Sequence, residues 1–202
     1  RVGTRSPSTP YGSVDRPANP CAFALGSGAR FVARGIDVHK NLPSVFKAAH
    51  AHKGASFVEI YQNCIVYNDE VFGAFTEKKQ AATKQLWLTH GAPMLFDGGA
   101  KGIAIDRENL ALVIVDVAGG DWQAAGVIVH DETNRSVAHM LVEMPLGEMP
   151  VALGVIYQSP APTFESAVVE QNLTAAKGKS ADLQALISKG QTWQVEKEPH
   201  VI

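Results

Sequence analysis

The chemistry on offer in this sequence lies with two cysteines, seven histidines and a scatter of amides and carboxylates. Cys64 has the most suggestive surroundings. It follows an apolar run at residues 56–61 that reads as a strand, in the polar stretch Gln62-Asn63-Cys64. In parallel α/β sheets, ligands sit in the crevice beyond the carboxyl ends of the strands, so a thiol there is placed to meet one. The same spacing suits an unreactive thiol, because free cysteines are commonly inert. Cys21 sits among the apolar residues of a short helix and reads as core. A lone cysteine is a poor metal motif, since zinc and iron–sulfur sites want up to four ligands. The histidines show no metal spacing, and His50 and His52, two residues apart, face different ways on a helix. Gly26-Ser27-Gly28 precedes a strand instead of opening a helix and lacks a third glycine, so it reads as a helix exit and not a phosphate loop. No nucleophile has a neighbouring base, and the residues by themselves assign no catalytic group in this segment.

The elements that must position Cys64 are legible. Asn19-Pro20 starts the short helix, with Asn as cap and Pro at the first position, where a missing N–H costs nothing. Residues 30–34 alternate like a strand. Asn41 then caps a helix whose Leu42, Val45, Phe46 and Ala49 recur at i, i+3, i+4 and i+7. His52-Lys53-Gly54 ends it with cations in the last turn and Gly at the exit. The strand at 56–61 follows. Strand, helix, strand with short joints predicts a βαβ unit on a parallel sheet.

Beyond it, residues 71–75 predict a short helical stretch and residues 76–84 a solvated boundary between two lobes. Short strands are predicted at 85–88, 102–105, 110–115 and 126–129, a helix at 137–143 and a buried strand at 151–157. A long helix opens at Pro162-Thr163, and Ser180 is the expected cap of a last helix carrying Leu183, Leu186 and Ile187. These elements divide the chain into residues 1–80 and 81–202.

Composition narrows the partners. With 202 residues and 46% apolar side chains the chain can bury a proper core. A net charge of −2 gives no basic footprint for nucleic acid and no polybasic patch for membranes. No apolar run approaches the roughly 20 residues of a membrane helix. Two cysteines 43 positions apart suit a reducing cytosol, so the expected location is cytoplasmic. Asn172-Leu173-Thr174 matches the glycosylation pattern, which carries no meaning there. Residues 1–10 contain no initiator Met and no apolar signal core, and read as a start within something larger or as a processed terminus.

Several stretches together resemble the β subunit of 2-oxoacid:ferredoxin oxidoreductases, most nearly the 2-oxoglutarate branch with a long C-terminal extension. They are Ser-Thr-Pro-Tyr-Gly-Ser-Val-Asp-Arg-Pro-Ala-Asn-Pro at residues 8–20, Ala-Arg-Phe-Val-Ala-Arg at 29–34, and Tyr67-Asn68-Asp69. The specific part is Ala-His-Lys-Gly-Ala-Ser-Phe-Val-Glu-Ile-Tyr-Gln-Asn-Cys at 51–64, with support from His-Gly-Ala-Pro-Met-Leu-Phe at 90–96. The resemblance implies an α/β fold: the C-terminal part of a thiamine-diphosphate-binding domain (residues 1–80), a parallel sheet with flanking helices, plus a mixed α/β C-terminal extension (81–202). It implies a reaction that decarboxylates a 2-oxoacid, passes electrons through a [4Fe–4S] cluster to ferredoxin and releases an acyl-CoA. It also implies thiamine diphosphate with Mg²⁺ as cofactors and an α subunit as partner. Cys64 falls on the family's late cluster cysteine. Gln62, Asn63 and Asn68 are the neighbouring residues positioned to touch cofactor, with loop capping as their alternative role.

The family's Cys-Pro-x-Cys cluster motif and Gly-Asp-Gly-Asp magnesium motif are absent from the sequence. The chain is therefore expected to correspond to the region just after the magnesium loop, to need the N-terminal half of the β subunit, and to be inactive in isolation. A truncated, non-catalytic α/β module acting as an interaction partner is the competing expectation. A redox sensor built on Cys64 is disfavoured, because no resolving thiol lies near it in sequence.

Overall fold

A computed structural model describes residues 2–5, 7–66, 69–193 and 195, and the chain divides into two compact units, Arg1–Pro162 and Thr163–Ile202. The first unit opens with α1 (Pro20–Gly26), where the Asn19 side chain accepts from the Ala22 amide and Pro20 takes the first helical position. The helix leads into β1 (Phe31–Ile36), α2 (Leu42–Ala51) and β2 (Phe57–Tyr61). β1 and β2 run parallel in unbroken register, from Val32 opposite Phe57 to Ile36 opposite Tyr61. The βαβ unit read from hydrophobic spacing is thus present.

Two short helices, α3 (Gly73–Thr76) and α4 (Lys78–Lys84), follow. Residues 76–84 are helical where a plain solvated boundary was expected, though α4 buries none of its residues. β3 (Gln85–Trp87) leads to an antiparallel sheet of β4 (Leu95–Phe96), β5 (Lys101–Asp106) and β6 (Ala111–Asp116). No regular strand forms at 126–129: Gly126 takes φ +75° and Val129 meets Pro93 in an isolated bridge, while the Ile128 amide donates to the Ile103 carbonyl and its own carbonyl accepts from the Met94 amide. Then come α5 (Arg135–Val142), capped by the Asn134 side chain, and β7 (Val151–Gln158).

β7 returns to the first sheet, whose order is β2-β1-β7-β3. It runs antiparallel to β1 and parallel to β3, so the sheet is mixed. Side-chain alternation then splits the core. Val32 joins Cys21 and Leu25 of α1 and Leu141 of α5 on one face, while Phe31 and Ala33 meet Val45 of α2 on the other. Every residue of β1 is buried, as expected of a strand covered on both faces and paired on both edges.

The second unit contains α6 (Phe164–Ala176), capped by the Thr163 hydroxyl, and α7 (Leu183–Ile187). Asp182, and not Ser180, caps α7: its carboxylate accepts from the Ala185 amide at 2.8 Å. A carboxylate one residue before the helix is in reach of the third amide, which a hydroxyl two residues further back is not. Among the described residues, no helix is long and apolar enough to cross a membrane.

Candidate functional site

The carboxyl ends of β1 and β2 open on the same side because the two strands are parallel. A crevice of about 210 Å³ lies there, lined by Asp37 and Val38 after β1, Tyr61 and Asn63 at the end of β2, and Glu70 and Phe72 before α3. That is below the roughly 300 Å³ at which ligand pockets begin, so the crevice by itself does not enclose a large cofactor. Its floor is aromatic: Tyr61 packs on Phe72 and Phe75 with ring centroids 4.8 and 5.2 Å apart.

Cys64 stands three residues past the end of β2, with its side chain exposed. Gln62 is exposed as well. Asn63 is committed to the loop: its amide donates to the Asp69 carboxylate at 2.8 Å, and its carbonyl oxygen accepts from the Glu70 amide at 2.9 Å. The same Asp69 oxygen accepts from Glu70, whose φ of +57° turns the chain back towards α3. Asn68 lies outside the described residues. The structure therefore brings Asn63 to the crevice, while Gln62 and Cys64 are exposed and do not line it.

A buried polar network lies behind the crevice that the motif reading did not find. Arg34 of β1 is 5% exposed, and its Nε donates to Glu59 Oε2 of β2 at 2.6 Å. The same oxygen accepts from the Cys21 thiol at 3.2 Å. The Arg34 guanidinium also lies over the Tyr61 ring, 5.6 Å from its centroid. Burial pushes the Cys21 thiol up to about 12, a shift that Arg34 opposes and Glu59 reinforces. Burial likewise pushes the Tyr61 phenol up to about 12. Both groups are neutral at physiological pH, so Cys21 is a hydrogen-bond donor and not a nucleophile. A signal was present in the sequence: a lone Arg and a lone Glu in two otherwise apolar strands. Only the register, which places Arg34 opposite Glu59, turns them into a pair.

The histidines stay apart from this site. His130 is buried, its Nε2 2.9 Å from the Val155 carbonyl and its Nδ1 without a partner, and burial lowers its pKa. His39 stacks on Trp87 at 4.2 Å. Among the described residues, no group of three or more His, Cys, Asp or Glu is placed to hold a metal ion.

No family model matches the sequence. The chain is nevertheless homologous to β subunits of 2-oxoacid:ferredoxin oxidoreductases, and its mixed α/β fold is theirs. The 2-oxoglutarate oxidoreductase subunit KorB of Mycobacterium tuberculosis is 34% identical over 96% of this chain and 53% of its own length. The 2-oxoacid:ferredoxin oxidoreductase subunit beta of Saccharolobus solfataricus is 39% identical over 71 residues, 34% of this chain and 23% of its own. Among solved structures, a 2-oxoglutarate:ferredoxin oxidoreductase from Magnetococcus marinus, with 2-oxoglutarate, coenzyme A and succinyl-CoA bound, superimposes with a TM-score of 0.60 at 19% identity. The match covers 95% of this chain and 51% of that one. The chain thus spans about half the length of the M. tuberculosis and M. marinus proteins. The family resemblance and α/β class read from the sequence are borne out.

Proposed function

We propose that the chain is part of the β subunit of a 2-oxoglutarate:ferredoxin oxidoreductase, with residues 1–80 in its thiamine-diphosphate-binding domain and 81–202 as the C-terminal extension. The observation that carries this is the similarity to a 2-oxoglutarate oxidoreductase β subunit along 96% of the sequence. The reaction would convert a 2-oxoacid and coenzyme A to acyl-CoA and CO₂, giving two electrons to two ferredoxins. It would need the remainder of the β subunit and an α subunit.

The described residues hold no group of three or more His, Cys, Asp or Glu placed around one metal ion. They offer one exposed thiol, Cys64, on a loop beyond the carboxyl end of a sheet strand. Cys64 is accordingly proposed as one cluster ligand, the others coming from outside this chain. A bound cluster would carry single electrons to ferredoxin. Asn63 would hold the Cys64 loop in shape through Asp69 and Glu70, and Arg34 and Glu59 would fix the end of β2 beneath it. Gln62 and Asn68 are proposed as cofactor neighbours by position alone.

The test is anaerobic iron and sulfide analysis, with the visible spectrum and ferredoxin reduction, on the intact assembly carrying Cys64 or Cys64→Ser. Loss of cluster content and of ferredoxin reduction in the variant is expected. An unchanged spectrum and activity would make Cys64 an ordinary thiol and turn attention to the non-catalytic module.

A further inference from the structure

The loop that carries Cys64 leaves the sheet at Tyr61 and rejoins the core at Phe72. Two contacts tie its ends together. The outer one is polar: the Asn63 side chain donates to the Asp69 carboxylate at 2.8 Å and accepts from the Glu70 amide at 2.9 Å. The inner one is aromatic: the Tyr61 and Phe72 rings stand 4.8 Å apart, tilted by 49°. A loop whose ends meet and are packed by its own side chains is a compact unit and not a free strap. Cys64 directly follows Asn63, so it is the first residue past the outer contact.

The inner contact is anchored on both sides. The Tyr61 carbonyl accepts from the Asp37 amide at 3.1 Å, and the Arg34 guanidinium lies 5.6 Å from the centre of its ring. Phe72 rests on Phe75 with ring centroids 5.7 Å apart, and Phe75 is buried with Ile36, Val151 and Leu153. The Gln85 side chain at the start of β3 donates to the Phe75 carbonyl at 2.7 Å and so ties α3 to the sheet. Asn63, Asp69 and Glu70 are exposed, and water competes for every hydrogen bond of the outer contact. The ring pair is screened by the core and has no such competitor.

We infer that Tyr61 and Phe72 are positioning residues for Cys64: their ring contact closes the neck of the loop, keeps Asn63 within reach of Glu70, and thereby holds the thiol in place. This rests on the functional reading above, in which Cys64 is a cluster ligand. Each ring acts through the backbone of the loop. A thiol that is already ordered pays less to bind and is slower to let go.

The test uses the intact assembly carrying Tyr61→Leu, Phe72→Leu, both together, or Tyr61→Phe. Iron release to a chelator under anaerobic conditions, hydrogen exchange at the Glu70 amide and the urea midpoint are measured on each. Each leucine variant should speed iron release and Glu70 exchange about fivefold, the loss of one aromatic pair. The double variant should be no faster than either single one, because the two rings make one contact. Tyr61→Phe should keep both wild-type rates, since the ring and not the hydroxyl makes the contact. If Tyr61→Leu does not assemble, Phe72→Leu carries the comparison. If neither assembles, exchange in the wild type decides, and a Glu70 amide as fast as in an unstructured chain overturns the inference. A lower urea midpoint with both rates unchanged reduces the rings to core packing and overturns it too. So does faster Glu70 exchange with unchanged iron release, which severs the neck from Cys64. Full cluster content in Cys64→Ser overturns the functional reading instead, and the neck is then judged by Glu70 exchange.

Discussion

The two cysteines have opposite characters for a physical reason. Cys21 is held in the core by the helix face that buries Leu25, and its thiol donates to a carboxylate already paired with Arg34. Desolvation disfavours its thiolate, pushing the thiol up to about 12. Cys64 is exposed. Labelling of the cluster-free folded chain with a chromogenic disulfide at pH 8 should therefore give one equivalent, at Cys64, with Cys21 reacting only on unfolding. Rapid labelling at Cys21 in the folded chain would refute the buried network. Arg34 and Glu59 set the terms for this pocket, since removing one partner of a buried pair leaves an uncompensated charge.

Elements depend on backbone choices that side-chain patterns do not reveal. β7 can lie between β1 and β3 only because Gly154 takes φ +99° and has no Cβ, which would stand 2.9 Å from the Leu88 carbonyl oxygen. Any other residue there meets both a left-handed conformation and a backbone atom. Gly154→Ala should cost about 2–3 kcal/mol in urea unfolding. A loss below about half a kcal/mol would show that the β3–β7 end of the sheet can give way. The spacing of Leu42, Val45 and Phe46 made α2 legible, and Asn19 announced α1 by capping chemistry. The segment expected as a strand at 126–129 stays irregular although it is bonded across the sheet: the Ile128 amide donates to the Ile103 carbonyl and its own carbonyl accepts from the Met94 amide, while Gly126 at φ +75° breaks the extended run. Ser180 lost the capping of α7 to Asp182, which stands directly before the helix.

For the molecule as a whole, stability should report on a group that no motif marked. His130 is buried beside His90, Asp131 and Glu132 with Nδ1 unpartnered, and burial holds its pKa below the ordinary 6.5. The unfolded chain therefore binds a proton before the folded chain does. The contribution is fully present above pH 6.5 and is lost as pH falls from there towards the folded-state pKa. His130→Gln should flatten that decline by up to about 1.4 kcal/mol per pH unit, the limit for one proton, in urea melts between pH 7 and 5. Equal slopes for the two proteins would mean that folding does not shift the titration of His130.

By itself the sequence determined most local elements and the family resemblance. Capping residues, hydrophobic spacing and the run from Ala51 to Cys64 are short-range features, each fixed by neighbours in the chain. It also determined that one thiol, Cys64, would follow a strand. Tertiary structure alone decided that β7 crosses back to pair with β1, that Arg34 meets Glu59 and captures Cys21, and that Asn63 spends both ends of its amide on the Asp69–Glu70 turn. Those outcomes depend on register between distant segments. A shift of one residue would send Arg34 or Glu59 to the other face of the sheet, and nothing within either strand specifies the partner it will meet.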